Sequence, residues 1–359
     1  MLKRLAAGIF LLVCFIYLLD YVARIPVFES RYFNPSLVCY DQYTLIKLKP
    51  NLNCRLRSKE YDVSVKTNSL GLRYREVPNE KVAGVYRILV IGDSHVFGYG
   101  VEQEEAFPAL LEQELNKYPG KQKIEIINCG VPGWDGFQGY EYFNKYSCRL
   151  KPDMIINLVC VNDFSENGFQ YYFFVLKNKK HEIEQFIKYY LKAKDLYCKA
   201  IISGNELLPK NLRLIYAPEL LPALTMGIFF QIYKYPDNEV NKILENKITL
   251  SLLNDYYKEA LLRNVKILFI IQDRRLAMED SGLNGQEKRY FQIRNILREN
   301  FKNNNMPYID LAIEVKKKYP QLGGIPGFNN DMHFNVQGNR LVAEVILEND
   351  MFRNMLADR

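Results

Sequence analysis

The sequence predicts an α/β fold, a doubly wound, flavodoxin-like parallel sheet of about five strands. Three observations carry that reading. Five short runs are mainly apolar, at 87–91, 124–128, 154–161, 265–271 and 307–311, as strands covered on both faces require. Helix-like stretches separate several of them, at 106–117, 139–149, 250–263 and 286–302. The first run ends abruptly in Gly92-Asp93-Ser94, which places a serine at the sharp turn between a buried strand and the next helix.

The bulk numbers agree with a folded domain carrying appendages. The chain has 359 residues, 48% of them hydrophobic, enough for a full core. Its net charge of +7 comes from 48 basic and 41 acidic residues. The short lysine patches at 177–180 and 316–318 read as solvated faces. No concentrated basic stripe exists, so a nucleic-acid partner is not expected. The seven cysteines, Cys14, Cys39, Cys54, Cys129, Cys148, Cys160 and Cys198, contain no CxxC pair and no zinc spacing with histidine. No metal or cofactor is therefore expected. Cys129 and Cys160 fall in apolar runs and read as core residues, whereas Cys39 and Cys54 flank a loop-like segment and could pair in an oxidising compartment.

In chain order, Lys3 and Arg4 precede an uncharged, almost wholly apolar run at 5–19. A cleaved signal peptide and an uncleaved anchor are both open readings. The missing small-x-small cleavage site favours an N-terminal transmembrane helix over residues 1–23. Positive charge ahead of the span keeps the N-terminus cytoplasmic, which makes the chain single-pass with an extracytoplasmic domain. The alternative is secretion after cleavage. Residues 24–85 read as an extended linker broken by Pro26, Pro35, Pro50 and Pro78, with an edge strand alternating at 61–67. The main domain spans 86–355. Residues 165–250 break its rhythm with Tyr171-Tyr172-Phe173-Phe174, a lysine-rich run at 182–200 and an apolar stretch at 220–232. Pro222 and Gly227 argue against a second span there, so the segment reads as a helical insertion or cap. The oligomeric state is not legible.

A serine nucleophile needs a base, and the base needs an orienting carboxylate. The chain has three histidines. His95 adjoins Ser94 and reads as a wall residue, and His181 sits in a charged, surface-like run. His333 lies in the polar loop 329–335 ahead of a helix at 336–347, with Asp331 two residues before it. Ser94, His333 and Asp331 are thus the candidate catalytic residues. Oxyanion donors would come from the Ser94 N–H, from Gly130 after the second strand, and from the Asn162 amide after the third. Taken singly, each feature also has an ordinary reading as a turn or helix cap.

Gly92-Asp93-Ser94, Gly130, Asn162-Asp163 and Asp331-x-His333 stand in the order of the four blocks of the SGNH/GDSL hydrolases, and the chain resembles that family over roughly 60–350. The flanks match too, with Asn68-Ser69-Leu70-Gly71-Leu72-Arg73 before the serine block, as in many membrane-anchored or exported members. The resemblance implies an SGNH-hydrolase fold, with Ser94 as nucleophile, His333 as base, Asp331 as its orienter, and Ser94, Gly130 and Asn162 as the oxyanion hole. Two departures stand out, Cys160 where the family has glycine and His95 where it has a small or apolar residue. The Asp-x-His spacing is similar to that of the polysaccharide O-acetylation branch. The expected activity is a serine esterase or acyltransferase on small acyl (O-acetyl) esters of a cell-envelope glycan. The alternatives are a lipid-ester hydrolase and a non-catalytic envelope binding protein that keeps the fold.

Overall fold

The computed structural model describes residues 37–78, 80–117, 122–161, 239–276 and 282–357. The chain divides into two compact units, 1–46 with 175–236, and 47–174 with 237–359. Near the start of the described chain, β1 (Val38–Asp41) and β2 (Leu45–Leu48) make a two-stranded sheet.

β3 (Asn53–Arg57) and β4 (Asp62–Lys66) form an antiparallel hairpin, paired from Asn53↔Lys66 to Arg57↔Asp62. Alternation buries Leu56, Val63 and Val65 and leaves the polar residues outside. The expected strand at 61–67 is β4. Its partner β3 buries one large apolar side chain, too little to show as a strand pattern. After the hairpin, Asn68 Oδ1 accepts the N–H groups of Leu70 and Leu72, at 2.9 Å each. The chain then turns Arg73 inward. Its guanidinium donates to the carbonyls of Phe97 (2.9 Å), Gly98 (2.7 Å) and Val101 (2.7 Å). Burial pulls this guanidinium down to about 10.

Five parallel strands build the main sheet: β5 (Tyr86–Gly92), β6 (Ile124–Gly130), β7 (Met154–Cys160), β8 (Lys266–Gln272) and β9 (Tyr308–Asp310), in the order β6-β5-β7-β8-β9. The chain leaves β5 for one edge and returns to the other side of it, so the topological switch lies beside β5. Ligands bind at the carboxyl ends of strands next to such a switch. Every residue of β5, β6 and β7 is buried, which is why those runs read as continuous apolar stretches.

The helices are α1 (Ser94–Phe97), α2 (Phe107–Leu115), α3 (Gly136–Leu150), α4 (Glu239–Leu262), α5 (Gly285–Asn303), α6 (Leu311–Lys318), α7 (Val336–Glu348) and α8 (Asp350–Ala357). Ile88, Val90, Ile126, Ile156 and Ile270 pack on one side with α2, α6, α7 and α8. On the other, Tyr256 of α4 joins Phe143 of α3 (5.1 Å between ring centroids) and Phe269 (6.1 Å), and Phe301 of α5 stacks on Phe269 at 4.9 Å. Two polar residues in the strands also pair. Arg87, fully buried, donates from Nε (2.9 Å) and Nη2 (2.8 Å) to Glu125 Oε2 on the neighbouring strand.

The α/β fold with about five parallel strands is therefore observed. Helices α6 and α8 were not expected, and α4 begins inside the segment assigned to the 165–250 insertion. The rest of that insertion, 165–238, lies outside the described residues, as do residues 1–23, Cys14, Cys198 and His181. Among the described residues no helix is long and apolar enough to cross a membrane. No disulfide joins Cys39 to Cys54.

Candidate active site

The serine is presented by a one-turn helix. Gly92 ends β5, where a Cβ would press to 2.7 Å from the Val96 side chain. Asp93 then caps α1, its Oδ1 accepting the His95 N–H at 2.8 Å. The aspartate of the Gly-Asp-Ser run is thus a helix cap, a role the sequence did not reveal. Ser94 is the first helical residue, so its N–H has no partner within the helix. Gly98, at φ 78°, stops the helix, and its N–H returns to Ser94 O at 3.1 Å.

The histidine comes from the loop ahead of α7. Gly327 bridges Phe334, the Phe328 N–H donates to His333 O at 3.2 Å, and Asn335 Oδ1 caps α7 through the Gly338 N–H at 3.0 Å. The loop between brings three expected residues into line. Ser94 Oγ lies 2.7 Å from His333 Nε2, and His333 Nδ1 hydrogen-bonds Asp331 Oδ1. The same carboxylate oxygen accepts the His333 backbone N–H at 2.9 Å. With Nδ1–H on the carboxylate, Nε2 keeps its lone pair toward the serine hydroxyl, an assignment made from these partners. Burial opposes ionisation of Asp331, but the hydrogen bonds from His333 outweigh it and hold the carboxyl below its ordinary range. The Tyr99 ring stacks on the imidazole at 4.6 Å.

Arg274, two residues beyond β8, is a member of the site that the sequence did not mark. It donates from Nη1 to Asp331 O (2.9 Å), from Nη2 to Phe328 O (3.3 Å) and from Nε to Ile325 O (3.3 Å). Gly327 makes room for it, since a Cβ there would collide with the guanidinium. A lone arginine after a strand carries no pattern that could have announced this.

The oxyanion candidates fare differently. Asn162 lies outside the described residues. Gly130 is beside the elbow, and its N–H donates to Asn128 Oδ1 at 2.9 Å. Glycine is needed there for packing, because a Cβ would sit 2.7 Å from the Val96 carbonyl carbon and closer still to the Phe97 nitrogen.

His95 is a buried wall residue, as expected, with its ring 4.4 Å from Phe334 and 5.3 Å from His333. Burial, then the neighbouring His333, keeps it neutral far below the usual imidazole range. Cys160 Sγ donates to Gln272 Oε1 at 2.6 Å, and the Gln272 amide nitrogen faces His95 Nε2 at 3.4 Å. Among the described residues, Asp93, His95 and Cys160 are the set whose donor atoms converge enough to hold a metal ion, within 4.8 Å of one another. Asp93 is already spent on the helix cap and Cys160 on Gln272. A cavity of about 560 Å³ opens beside this group, lined by His95, Cys160, Gln272, Arg275, Tyr290 and Met332.

In a three-layer α/β sheet, a polar site at the carboxyl ends of the strands stands where ligands bind. The chain belongs to the family of GDSL-like lipases and acylhydrolases, which it matches over residues 88–346, and it is an ester-bond hydrolase. No curated protein matches it. Solved structures to which the chain shows similarity include an acetyl xylan esterase (15% identity, 73% of this chain and 98% of that one, TM-score 0.43). Another is a member of the lipolytic protein G-D-S-L family from Veillonella parvula DSM 2008 (13%, 73% and 97%, TM-score 0.40). A third is an alpha/beta hydrolase enzyme from the metagenome of Lake Arreo, Spain (14%, 73% and 93%, TM-score 0.42).

Proposed function

We propose that the chain is a serine esterase or acyltransferase acting on small acyl esters, O-acetyl groups of a cell-envelope glycan foremost, through Ser94, His333 and Asp331. The observation that carries the reading is the hydrogen-bonded line from Ser94 Oγ through the His333 ring to Asp331. Ser94 Oγ attacks the ester carbonyl while His333 Nε2 takes its proton. Asp331 holds the tautomer and stabilises the imidazolium. The tetrahedral intermediate collapses as His333 returns the proton to the departing alkoxide, leaving an acyl-Ser94. Water or an acceptor hydroxyl, deprotonated by His333, then attacks that acyl group and frees the serine. The developing oxyanion would be met by the Ser94 N–H and the Asn162 amide. Gly130 would serve by letting α1 sit close to β6.

The envelope substrate is supported by the charge and apolarity of residues 1–23, which we read as a membrane anchor, and by the short Asp-x-His spacing. Ser94→Ala should lower hydrolysis of a short-chain acyl ester by about a million-fold if the three groups act as a unit. Full activity in that variant would overturn the mechanism. A preference for long over short acyl chains would replace the glycan reading with lipid-ester hydrolysis.

A further inference from the structure

The loop that carries His333 is also held from outside the family-matched region. The turn joining β3 to β4 reaches it. Glu60 accepts the Asn329 N–H on Oε1 and the Asn330 N–H on Oε2, each at 2.8 Å. Next to it, the Tyr61 hydroxyl donates to Asp331 Oδ2 over 3.4 Å. The Tyr61 ring packs 5.0 Å from Phe328 and edge-on to Tyr99 at 6.3 Å, and Tyr99 in turn stacks on His333. Gly100, at φ 84°, leaves room for this packing, since a Cβ would fall 2.6 Å from the Phe328 ring and 3.0 Å from Tyr61.

The chemistry of these contacts matters because Asn329 and Asn330 are exposed. Apolar burial does not fix that part of the loop, whereas two charge-assisted hydrogen bonds accepted by one carboxylate set both its position and its tilt. The two N–H donors hold the Glu60 carboxyl below its ordinary range, so it stays charged across the neutral region. The hairpin, at 53–66, precedes the matched residues 88–346.

We propose that Glu60 and Tyr61 are positioning residues for ester cleavage. They fix the 328–333 loop so that His333 stays within hydrogen-bond reach of Ser94. This rests on the Ser94 chemistry proposed above. Displacing a reacting group by about 1 Å can cost on the order of a hundredfold in rate, so a loosened loop has a large lever.

The test uses the full chain, with Glu60→Ala, Glu60→Gln and Tyr61→Phe beside wild type and Ser94→Ala. Active sites are counted by fluorophosphonate titration, and kcat and KM for p-nitrophenyl acetate are measured per titrated site. Glu60→Ala should lower kcat per titrated site by about tenfold or more with KM within about twofold. Glu60→Gln, which keeps one acceptor oxygen, should fall between it and wild type. Tyr61→Phe removes one hydroxyl and leaves the ring packing. It should lower kcat by about threefold with KM within about twofold, because the carboxylate that orients His333 loses one of its anchors. If the variants only reduce the titratable fraction while kcat per site stays at the wild-type value, the hairpin supports folding alone and the proposal is overturned. If wild type is active, Ser94→Ala is inactive and the hairpin variants match wild type, the positioning role falls and the serine mechanism stands. A wild type that neither labels nor hydrolyses overturns the serine mechanism and this proposal with it.

Discussion

Arg274 and Glu60 grip opposite ends of one peptide group. Arg274 Nη2 donates to Phe328 O over 3.3 Å, while Glu60 Oε1 accepts the N–H of the next residue, Asn329, over 2.8 Å. A cation on the carbonyl and an anion on the amide both align with that group's dipole, so each strengthens the hold of the other.

That relationship gives a double-mutant prediction. Arg274→Ala leaves the carbonyls of Ile325, Phe328 and Asp331 without this partner and should cost about 2 kcal/mol of stability. Arg274→Lys should recover little, because an ammonium cannot reproduce a planar fork. Combining Arg274→Ala with Glu60→Ala should cost less in kcat than the product of the two single effects, since both release the same loop. Strict multiplicativity would mean that the two residues act separately.

Gly130 offers a steric test. The atoms a Cβ would meet are the Phe97 nitrogen, the Val96 carbonyl carbon and the Val96 Cβ, none of which can swing aside as the far end of a side chain could. Gly130→Ala should destabilise by about 3 kcal/mol, read from urea unfolding, and reduce activity by shifting α1 and Ser94 with it. A variant as stable as wild type would show that the α1–β6 contact is looser than described.

The Arg87–Glu125 pair should behave as a buried ion pair. Glu125→Gln leaves the fully buried guanidinium facing a neutral amide and should cost about 3–5 kcal/mol. Replacing both, as Arg87→Met with Glu125→Leu, should recover most of that loss, because no uncompensated charge then remains inside. Thermal unfolding of the single and double variants distinguishes the cases.

His95 sets a pH dependence whose sign follows from burial. Its folded-state value lies well below the ordinary 6.5, so under acid the unfolded chain takes up a proton that the folded chain refuses. Stability from this group is therefore complete above about pH 6.5 and is lost as pH falls toward the folded value, by at most about 1.4 kcal/mol per pH unit. Urea midpoints measured at about pH 7.5 and about pH 5 should differ less in His95→Gln than in wild type. Parallel losses in the two proteins would mean that other groups dominate the acid limb.

The sheet was legible because strands covered on both faces leave continuous apolar runs, and β5, β6 and β7 are buried at every position. The small hairpin was half legible. β4 alternates clearly, whereas β3 reads Asn-Cys-Arg-Leu-Arg and buries only Leu56 among its large apolar residues. Ser94, His333 and Asp331 could be singled out because a three-histidine chain leaves few bases to choose from. The use of the Gly130 N–H was not legible, since it depends on the Asn128 side chain turning back to the end of its own strand. Arg274 and Glu60 were invisible for a different reason. Their partners are backbone groups far along the chain, and a backbone acceptor or donor leaves no mark on residue type.

The contact between Glu60 and Asn330 spans 270 residues of chain. A ribosome therefore releases the hairpin long before the loop it holds, and the early strands must wait with that face uncovered. Closure of so long a loop is slow to search for and comes late in folding. A nascent chain stalled before residue 329 would hold Ser94 and the elbow but neither Asp331 nor His333, the partners proposed for that serine. On the mechanism proposed above, ester-cleaving competence would therefore wait until residues 329–333 dock against a hairpin made some 270 residues earlier.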